Sequence, residues 1–383
     1  MKILFPLEIF YPASVGGPSA TLYWHTGYLA RNGVEVFVVA TDYQLDSAHC
    51  DVVKNKWEKR NGCNVIFCKT KFRFFPVRAM WETLKCILKC DAIHYSSAYF
   101  CISVYTLVLS VLFGKRVFFS PRGELFPTAI NRRDKKIILM FYKLISSRVT
   151  FHATSDAEVQ TILNIYPKAH VIKQPNFIET NVADPPGARS KDIVFLGIIG
   201  GIKKIENLIQ AVALSKVLMN GTSRLNIVGA PRTVRDVGYM DSLVALVKEL
   251  KLEDKVNFLG AKFEREKEKI LNDSYVLVLP SASENFGNVV VEAMAQSTPV
   301  IASTNTPWEI LHDYNAGWWV DNSPASLAKT LDIALSLESA QYQAICRNAQ
   351  RLLKEKYLID TSKDNHWLHI YTNDDVQKDC DLS

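Results

Sequence analysis

The feature that most constrains this chain is an alternation of short apolar runs with stretches of helical length. The first run, at residues 2–7, is followed by a loop rich in Pro and Gly, a helical stretch to about Asn32, and a second apolar run at 34–40. Runs of this kind are typical of parallel strands, because helices cover both faces of a parallel sheet and bury its strands. The alternation therefore predicts an α/β fold with a doubly wound parallel sheet.

The alternation occurs twice along the 383 residues, a length that suits two domains. Further predicted strands lie at 64–69, 92–97, 116–120 and 149–155 in the first half, and at 193–197, 225–229, 256–260, 275–280 and 299–303 in the second. Between the halves, residues 181–192 combine two prolines and a glycine with mixed charge, as linkers do. We predict two Rossmann-like domains, at 1–183 and 190–355, and a C-terminal helix at about 356–372 that can pack back on the first domain.

The two predicted sheets would offer ligands the carboxyl ends of their strands, and two sheets facing each other would form a cleft. The charges of the halves differ. Residues 1–183 contain 23 Lys and Arg and 13 Asp and Glu, whereas residues 184–383 contain 22 and 26. A basic half joined to a mildly acidic half indicates that the halves have different partners.

Composition excludes several classes of protein. Apolar residues make up 48% and charged residues 22% of the chain, which excludes a disordered or collagen-like protein. The eight cysteines form no Cys-x-x-Cys pair, so we expect reduced thiols and neither a disulfide framework nor a zinc site. Glu8 interrupts the N-terminal apolar run too early for a signal peptide, and the longest apolar stretch, 98–114, is too short for a membrane span. We therefore expect a cytoplasmic protein.

The segment 280–303, PSASENFGNVVVEAMAQSTPVIAS, has the clearest chemical pattern. After a predicted strand, a short loop contains Glu284 and Gly287, and a helix begins near Asn288 with Glu292 in its first turns. The first N–H groups of a helix bind anions, and a glycine lets the backbone approach a ligand closely. The pattern indicates a phosphate site flanked by carboxylates that accept hydrogen bonds from sugar and ribose hydroxyls. A plain helix start with favourably placed glutamates explains the same spacing.

Two further glycine loops follow predicted strands. One contains Gly16 and Gly17, and the other runs from Gly197 to Lys203 and Lys204. A lysine beside such a loop can neutralise a leaving diphosphate, although a pair of lysines in a first helical turn is more often simply solvated. Neither loop has the glycine spacing of a dinucleotide-binding dehydrogenase or of a P-loop ATPase, which disfavours both classes.

These segments resemble retaining glycosyltransferases of family 4, among the group 1 glycosyl transferases, which have the GT-B fold of two Rossmann-like doubly wound domains facing a cleft. The resemblance covers roughly residues 1–335 and is most specific at 280–302, where seven residues separate Glu284 from Glu292. Other segments that carry it are GGPSATLYWHTGYLARNGVEV, SPRGEL, FHATSDAEVQTI, IVFLG, LNIVG, DKVNFLG and AGWWV.

The resemblance implies roles for residues at matching positions. The implied catalytic residues are Lys203, Glu284 and Arg122. The implied donor-binding residues are Gly17, Gly197, Asn285, Phe286, Gly287, Asn288, Val289 and Glu292. Among them, Lys203 would stabilise the leaving phosphate, Glu284 would contact the donor sugar, and Glu292 would hold the ribose.

Three positions depart from the family's pattern. The family usually has an arginine where this chain has Ile198 and a glycine where it has Lys204, and many relatives have His-Gly in place of Arg122 and Gly123. Arg122 would either act as a cation near the sugar or diphosphate or serve the structure alone. The resemblance implies no metal and no cofactor besides the donor, and the one Asp-x-Asp sequence, at 379–381, lies in the polar tail.

The resemblance implies transfer of a sugar from a UDP- or GDP-linked donor to a hydroxyl with retained anomeric configuration, in surface polysaccharide or lipid-linked glycan assembly. A GT-B sugar-nucleotide epimerase and a non-catalytic sugar-nucleotide binding protein are the alternatives. The segments 69–81 and 131–136 are rich in cations, the first interleaved with aromatic residues. We expect them to be either solvated faces or contacts with an anionic membrane surface, at the inner face of the membrane. No nucleic-acid recognition motif is visible, so no nucleic-acid partner is expected.

Overall fold

The computed structural model describes residues 1–12, 16–43, 52–72, 75–127, 133–184 and 189–372, which form two compact units. Unit 1 comprises residues 1–177 together with the C-terminal segment that begins at Asp364, and unit 2 comprises Ile178–Lys363. The sequence predicts the first domain to end at 183. In the structure the chain passes from unit 1 to unit 2 a few residues earlier, before the prolines of the predicted linker.

The described part of unit 1 forms an eight-stranded sheet covered by helices. Its strands are β1 (Lys2–Leu7), β2 (Glu35–Thr41), β3 (Trp57–Arg60), β4 (Cys63–Cys68), β5 (Ala92–Ser96), β6 (Arg116–Ser120), β7 (Thr150–Ala153) and β8 (His170–Lys173). Its helices are α1 (Gly16–Arg31), α2 (Val77–Lys89), α3 (Cys101–Leu112), α4 (Arg133–Ile145), α5 (Asp156–Ile165) and α14 (Trp367–Thr372). The strand order is β3-β4-β2-β1-β5-β6-β7-β8, and all pairs are parallel except β3 with β4.

The described part of unit 2 forms a six-stranded parallel sheet. Its strands are β9 (Ile193–Leu196), β10 (Leu225–Val228), β11 (Val256–Gly260), β12 (Val276–Leu279), β13 (Val300–Ser303) and β14 (Gly317–Val320), in the order β11-β10-β9-β12-β13-β14. Its helices are α6 (Ile205–Leu214), α7 (Lys216–Asn220), α8 (Val234–Glu249), α9 (Glu264–Asp273), α10 (Asn288–Ala295), α11 (Ile310–Asp313), α12 (Pro324–Leu335) and α13 (Ser339–Lys356).

The central strands are buried along most of their length because both faces of each sheet are covered. Every residue of β12, with the sequence VLVL, is buried, as is every residue of β13. In unit 1, Tyr95 on β5 stacks on Phe119 of β6 with ring centroids 4.7 Å apart. Burial on both faces confirms the α/β fold that the sequence predicts.

The C-terminal helix and the edge strands also differ from the sequence prediction. The predicted C-terminal helix at about 356–372 is broken: α13 ends at Lys356 and α14 begins only at Trp367. Residues 357–366 include Asp, Asn, Ser and Thr, whose short polar side chains compete for backbone hydrogen bonds. The sequence analysis also misses the edge strands β3, β8 and β14, which are short and mostly only partly buried, so they lack the long apolar run of a central strand.

Among the described residues, no helix is both long enough and apolar enough to cross a lipid bilayer. The long apolar stretch at 98–114 contains α3, which packs into unit 1. Ile102, Thr106 and Leu107 of this helix are buried.

Candidate functional site

The strand order of unit 2 reverses between β9 and β12. From β9 the chain proceeds outward to β10 and β11, and from β12 it proceeds the other way to β13 and β14. The two central strands are parallel neighbours that pair Ile193 with Val276 and Val194 with Leu277. The loops that leave their carboxyl ends therefore diverge, and ligands bind at such a point in open α/β sheets.

Two of the predicted catalytic residues meet at this point. The loop after β9 ends in a 3₁₀ turn at Gly201–Lys203, and the loop after β12 contains Glu284. Lys203 Nζ donates a hydrogen bond to Glu284 Oε1, which also accepts one from the hydroxyl of Ser281 at 2.8 Å. The exposed fractions of the two charged side chains are 20% and 12%, so the ion pair is partly desolvated. A lysine ammonium has three donors, and a phosphate oxygen can accept one while the carboxylate keeps another.

The two loops are tied together through their backbones. The N–H of Ala282 donates to the carbonyl of Ile202 at 2.8 Å. The carbonyl of Pro280 accepts from Asn322 Nδ2 at 3.1 Å, and the carbonyl of Asn322 accepts from Asn207 Nδ2 at 2.8 Å. These bonds fix the loops before a ligand binds, which lowers the entropy cost of binding.

Helix α10 begins at Asn288 after a glycine that the backbone requires. Gly287 has a φ of 83°, and a Cβ at this position would lie 3.3 Å from Trp308 Nε1. The carbonyl of Gly287 accepts from the N–H of Val290 at 2.9 Å. Asn288 and Val289 are the first two residues of the helix and precede Val290. Their backbone N–H groups lie at the positive end of the helix dipole, where anions bind.

The resemblance places Phe286 against the donor sugar, but its ring lies in the interior of unit 2. The ring packs against Trp308 and Tyr357, with centroids 5.1 Å and 5.7 Å away. The Phe286 carbonyl accepts a hydrogen bond from Trp308 Nε1 at 2.5 Å. The ring therefore anchors the loop, while the preceding Asn285 is half-buried within it.

Glu292 pairs with a lysine that the sequence analysis does not single out. Lys267 Nζ on α9 lies 2.8 Å from Glu292 Oε1 on α10, and both side chains are mostly buried. Lys267 belongs to the run EREKEKI, in which the charged residues look alike in sequence. We interpret Lys267 as the residue that orients the Glu292 carboxylate.

For the nucleotide-sugar donor that the resemblance implies, Lys267→Met should raise the KM about tenfold, with a smaller effect on kcat, because a hydrogen bond to a charged group contributes roughly 1.5 kcal/mol. Steady-state kinetics with varied donor concentration measure the change. Lys269→Met, on the exposed face of the same helix, is the matched control and should leave the KM unchanged. Equal KM values for both variants would contradict the orienting role.

The loop after β9 lies close to its neighbouring strand. A Cβ at Gly229 would come within 1.8 Å of the carbonyl oxygen of Gly197, so the two backbones are in direct contact. A Cβ at Gly197 would lie 3.9 Å from Lys203 Cε, which places this glycine beside the lysine. Ile198, where the resemblance expects an arginine, is half-buried in the same loop.

Lys204 has a left-handed backbone, with φ 52° and ψ 41°, which explains why glycine suits this position. Lys204→Gly should raise the free energy of unfolding by up to about 1 kcal/mol, because glycine adopts this conformation without steric cost. Its ion pair with Glu206, at 3.4 Å, is half-exposed and contributes little. Urea unfolding measures the change. Lys251→Gly, at a φ of 55° outside the site, should respond similarly, and a loss of stability at Lys204 alone would contradict the argument.

Unit 1 contains the other two predicted site residues, Gly17 and Arg122. Gly17 is the second residue of α1, the helix that follows β1. Arg122 follows β6 with a φ of 50°, and its Nε donates to the hydroxyl of Ser96 at 3.1 Å. Burial lowers the pKa of Arg122 to about 10 although the negative charge of Glu158 opposes the shift, so the guanidinium stays protonated at neutral pH.

Two carboxylates fix the loop that contains Arg122. Glu158 accepts the backbone N–H of Gly123 at 2.7 Å and that of Thr154 at 2.8 Å. Glu124 accepts the N–H of Ala98 at 2.6 Å. The segment SPRGEL is therefore held by hydrogen bonds to α5 and to the residues after β5, and the part that Arg122 plays toward a ligand stays a prediction.

A chain of buried hydrogen bonds joins α14 to the sheet of unit 1. Tyr371 Oη contacts His94 Nδ1, and His94 Nε2 lies 2.6 Å from Ser120 Oγ. Ser120 Oγ lies 2.6 Å from His152 Nδ1, and His152 Nε2 lies 2.7 Å from the carbonyl of Gln174. A carbonyl only accepts, so His152 Nε2 donates, and with a neutral ring His152 Nδ1 accepts from the Ser120 hydroxyl. Ser120 Oγ then accepts from His94 Nε2, and His94 Nδ1 accepts from the Tyr371 hydroxyl. These directions are assigned with both imidazoles neutral.

The histidines of this cluster are held neutral by their surroundings. Burial lowers the pKa of His152 to about 3, and it lowers the pKa values of His25 and His94 well below the usual histidine range. The positive charge of Arg122 acts in the same direction on all three. The ring of Trp367 on α14 lies 4.0 Å from His25 and 4.6 Å from His152, centroid to centroid. Docking of α14 therefore depends on neutral imidazoles.

Nine of the eleven predicted site residues belong to unit 2, in the loops after β9 and β12 and in helix α10. They are Gly197, Lys203, Glu284, Asn285, Phe286, Gly287, Asn288, Val289 and Glu292. The other two, Gly17 and Arg122, belong to unit 1. In the parts of the chain that the structure describes, no group of three or more His, Cys, Asp or Glu side chains is arranged to hold a metal ion. The Asp-x-Asp sequence at 379–381, and residues 73–74 and 131–132 of the basic segments, lie outside the described residues.

Comparison with known proteins finds a match to one family model over part of the chain. Residues 180–352 match the family model described as Glycosyl transferases group 1. An uncharacterized glycosyltransferase of Methanocaldococcus jannaschii is 35% identical over 173 residues, which are 44% of this chain and 42% of that protein. The chain spans between 35% and 42% of the length of the first three curated relatives it matches. The family similarity therefore concerns the part of the chain that contains the Lys203–Glu284 pair.

Solved structures share the fold of the whole chain. Sucrose-phosphate synthase from Thermosynechococcus elongatus has a TM-score of 0.75 and 19% identity, with 97% of each chain covered. The Anabaena protein HepE, solved in complex with UDP-glucose, has a TM-score of 0.75 and 17% identity, covering 97% of this chain and 99% of that chain. The fold is therefore GT-B, as the sequence analysis predicts.

Proposed function

We propose that this chain is a retaining, metal-independent glycosyltransferase of family 4 that moves a sugar from a nucleotide-diphosphate donor to a hydroxyl acceptor. The observation that supports this most is the Lys203–Glu284 ion pair, which lies where the strand order of unit 2 reverses. Glu284 precedes the first residue of α10 by four residues. A cation and a helix N-terminus suit a diphosphate, and a carboxylate suits sugar hydroxyls. The group 1 family match over the same residues supports the proposal.

The proposed roles follow from the position of each group. Lys203 and the N–H groups of Asn288 and Val289 bind the diphosphate of the donor. Glu284 accepts hydrogen bonds from the sugar, and Glu292, oriented by its lysine partner, accepts them from the ribose. The further donor contacts in the proposal are Gly17, Gly197, Asn285, Gly287 and Arg122.

The proposed step is a displacement on one face of the sugar. The bond from the anomeric carbon to the diphosphate oxygen breaks, and a bond from that carbon to the acceptor oxygen forms on the same face. The acceptor proton passes to the leaving diphosphate, which departs as the nucleoside diphosphate. The protein contributes positioning and stabilisation of negative charge, chiefly through Lys203.

As acceptor we propose a glycan or a lipid-linked glycan of surface polysaccharide assembly, reached from the cytoplasmic side of a membrane. The support is the excess of Lys and Arg over Asp and Glu in residues 1–183. A basic surface attracts an anionic acceptor such as a lipid pyrophosphate and raises its local concentration.

A panel of UDP- and GDP-linked sugars tests the proposal. One donor should raise the Tm and, without acceptor, should release its nucleoside diphosphate slowly, because water replaces the acceptor hydroxyl. A donor at about one hundred times its Kd adds roughly 2.7 kcal/mol to the free energy of unfolding. Absence of both stabilisation and nucleotide release with every donor would contradict the proposal.

Product analysis separates the proposal from two alternatives. A sugar-nucleotide epimerase would convert one donor sugar into another without a glycosylated acceptor. A sugar-nucleotide binding protein would gain stability from the donor without releasing nucleotide. The anomeric configuration of the product, measured by NMR, then tests retention.

A further inference from the structure

Five exposed apolar side chains of the described part of unit 1 lie on or just before α2. The exposed fractions are 72% for Phe72, 62% for Phe75, 70% for Val77, 54% for Trp81 and 56% for Leu88. Single exposed apolar residues are ordinary on protein surfaces, whereas a contiguous group marks an interaction site. We call these five residues the α2 apolar face.

Helix geometry puts the helical members of this face on one line. At about 100° per residue, Val77, Trp81 and Leu88 lie within roughly 40° of one another around the helix axis. The opposite side of the helix is buried in unit 1, through residues that include Ala79 and Cys86. The helix therefore has two apolar sides. One is buried in unit 1 and the other lies at the surface.

Cations border the α2 apolar face. The described residues of the segment 69–89 include five Lys or Arg, at positions 69, 71, 78, 85 and 89, and a single acidic residue, Glu82. The Glu82 side chain is buried and accepts Arg78 Nη2 at 3.1 Å and Lys85 Nζ at 3.3 Å. Lys85 Nζ also lies 5.3 Å from the centroid of the Trp81 ring. The one acid of the segment thus lies beneath the surface, and the surface itself is apolar and positive.

We propose that the α2 apolar face docks on an anionic lipid bilayer, with Trp81 and its apolar neighbours in the headgroup region and the flanking cations on lipid phosphates. An exposed apolar edge bordered by Lys and Arg, with an aromatic residue at its centre, fits the interface of a bilayer. The positive border matches an anionic surface, and each Lys or Arg near such a surface strengthens binding about fivefold. This inference rests on the proposed function, because it places the enzyme where a lipid-linked acceptor is found.

Co-sedimentation with lipid vesicles tests the inference. The full chain should pellet with vesicles of phosphatidylcholine and phosphatidylglycerol, and should stay in solution with vesicles of phosphatidylcholine alone. The double variant Val77→Asp/Trp81→Asp should weaken binding at least about tenfold. Lys71→Ala/Lys89→Ala should weaken it about thirtyfold and should reduce its salt dependence. All four side chains are exposed, so the fold should persist, which the Tm of each variant verifies.

The matched control is Leu214→Asp/Ile333→Asp, which places the same two charges on exposed apolar positions of unit 2 and should bind vesicles like the unaltered chain. Equal pelleting with both kinds of vesicle, no pelleting with either, or undiminished binding by Val77→Asp/Trp81→Asp would overturn the inference.

Donor hydrolysis without vesicles reports the proposed function separately. It should be the same in the Val77→Asp/Trp81→Asp variant as in the unaltered chain, so a failure of vesicle binding and a failure of the transferase proposal are distinguishable.

Discussion

Lys203→Ala should lower the rate of sugar transfer about 10²–10³-fold, because removal of one preorganised group that stabilises developing charge costs that much. In the structure the ammonium is held by Glu284 beside the start of α10, so it is in place before the diphosphate leaves. Glu284→Ala should lose a similar factor, since it removes both the proposed sugar contact and the group that holds the lysine. The kcat/KM for nucleotide release with acceptor measures both losses.

Two further variants separate chemistry from stability. Each single substitution leaves a partly buried charge without its partner, which destabilises the fold. Lys203→Met/Glu284→Gln removes both charges and should recover stability while transfer stays low. Lys204→Gly, one residue along the chain, should retain transfer near that of the unaltered chain. Near-normal turnover in both Lys203→Ala and Glu284→Ala would contradict the site assignment.

Acidification from about pH 7 to about pH 5 should destabilise unit 1 steeply. Burial lowers the folded-state pKa values of His25, His94 and His152, so below about pH 6.5 the unfolded chain binds protons that the folded chain does not. Each histidine then costs about 1.4 kcal/mol of stability per pH unit. Glu158 acts in the opposite direction, because burial raises its pKa and so favours proton uptake by the folded chain. The loss is present below the unfolded-state histidine pKa and vanishes above it.

Hydrogen exchange of α1 and α14 measures this loss, because both helices belong to unit 1 and contact the histidine cluster. His152→Gln should flatten the pH dependence by about 1.4 kcal/mol per pH unit, whatever its effect at neutral pH. His312→Gln, at an exposed position of unit 2, should leave the pH dependence unchanged. Protection of α14 that is the same at both ends of the pH range would contradict the argument.

The strands were predictable where burial alone determines their sequence. β12 and β13 are apolar at nearly every position because helices cover both faces, so their sequences identify them. The edge strand β3, with the sequence WEKR, has no such pattern because one side of it faces water. The break between α13 and α14 was missed because helical periodicity continues on both sides of a polar stretch.

The candidate site was predictable in part for a similar reason. Glu284, Gly287 and Asn288 lie within five residues of each other, so their chemistry can be read from one segment. The Lys267–Glu292 pair joins two helices, and only packing distinguishes Lys267 from Lys269, the other lysine of α9. The contact between Tyr371 and His94 spans 277 residues of sequence, and no local pattern indicates it.

A crystal structure with a bound nucleoside diphosphate tests the central claim most directly. We expect the β-phosphate to accept hydrogen bonds from Lys203 Nζ and from the N–H of Asn288 or Val289, at roughly 2.7–3.1 Å. The ribose hydroxyls should lie against the Glu292 carboxylate. A diphosphate bound away from the start of α10, with Glu292 still facing only Lys267, would contradict the account.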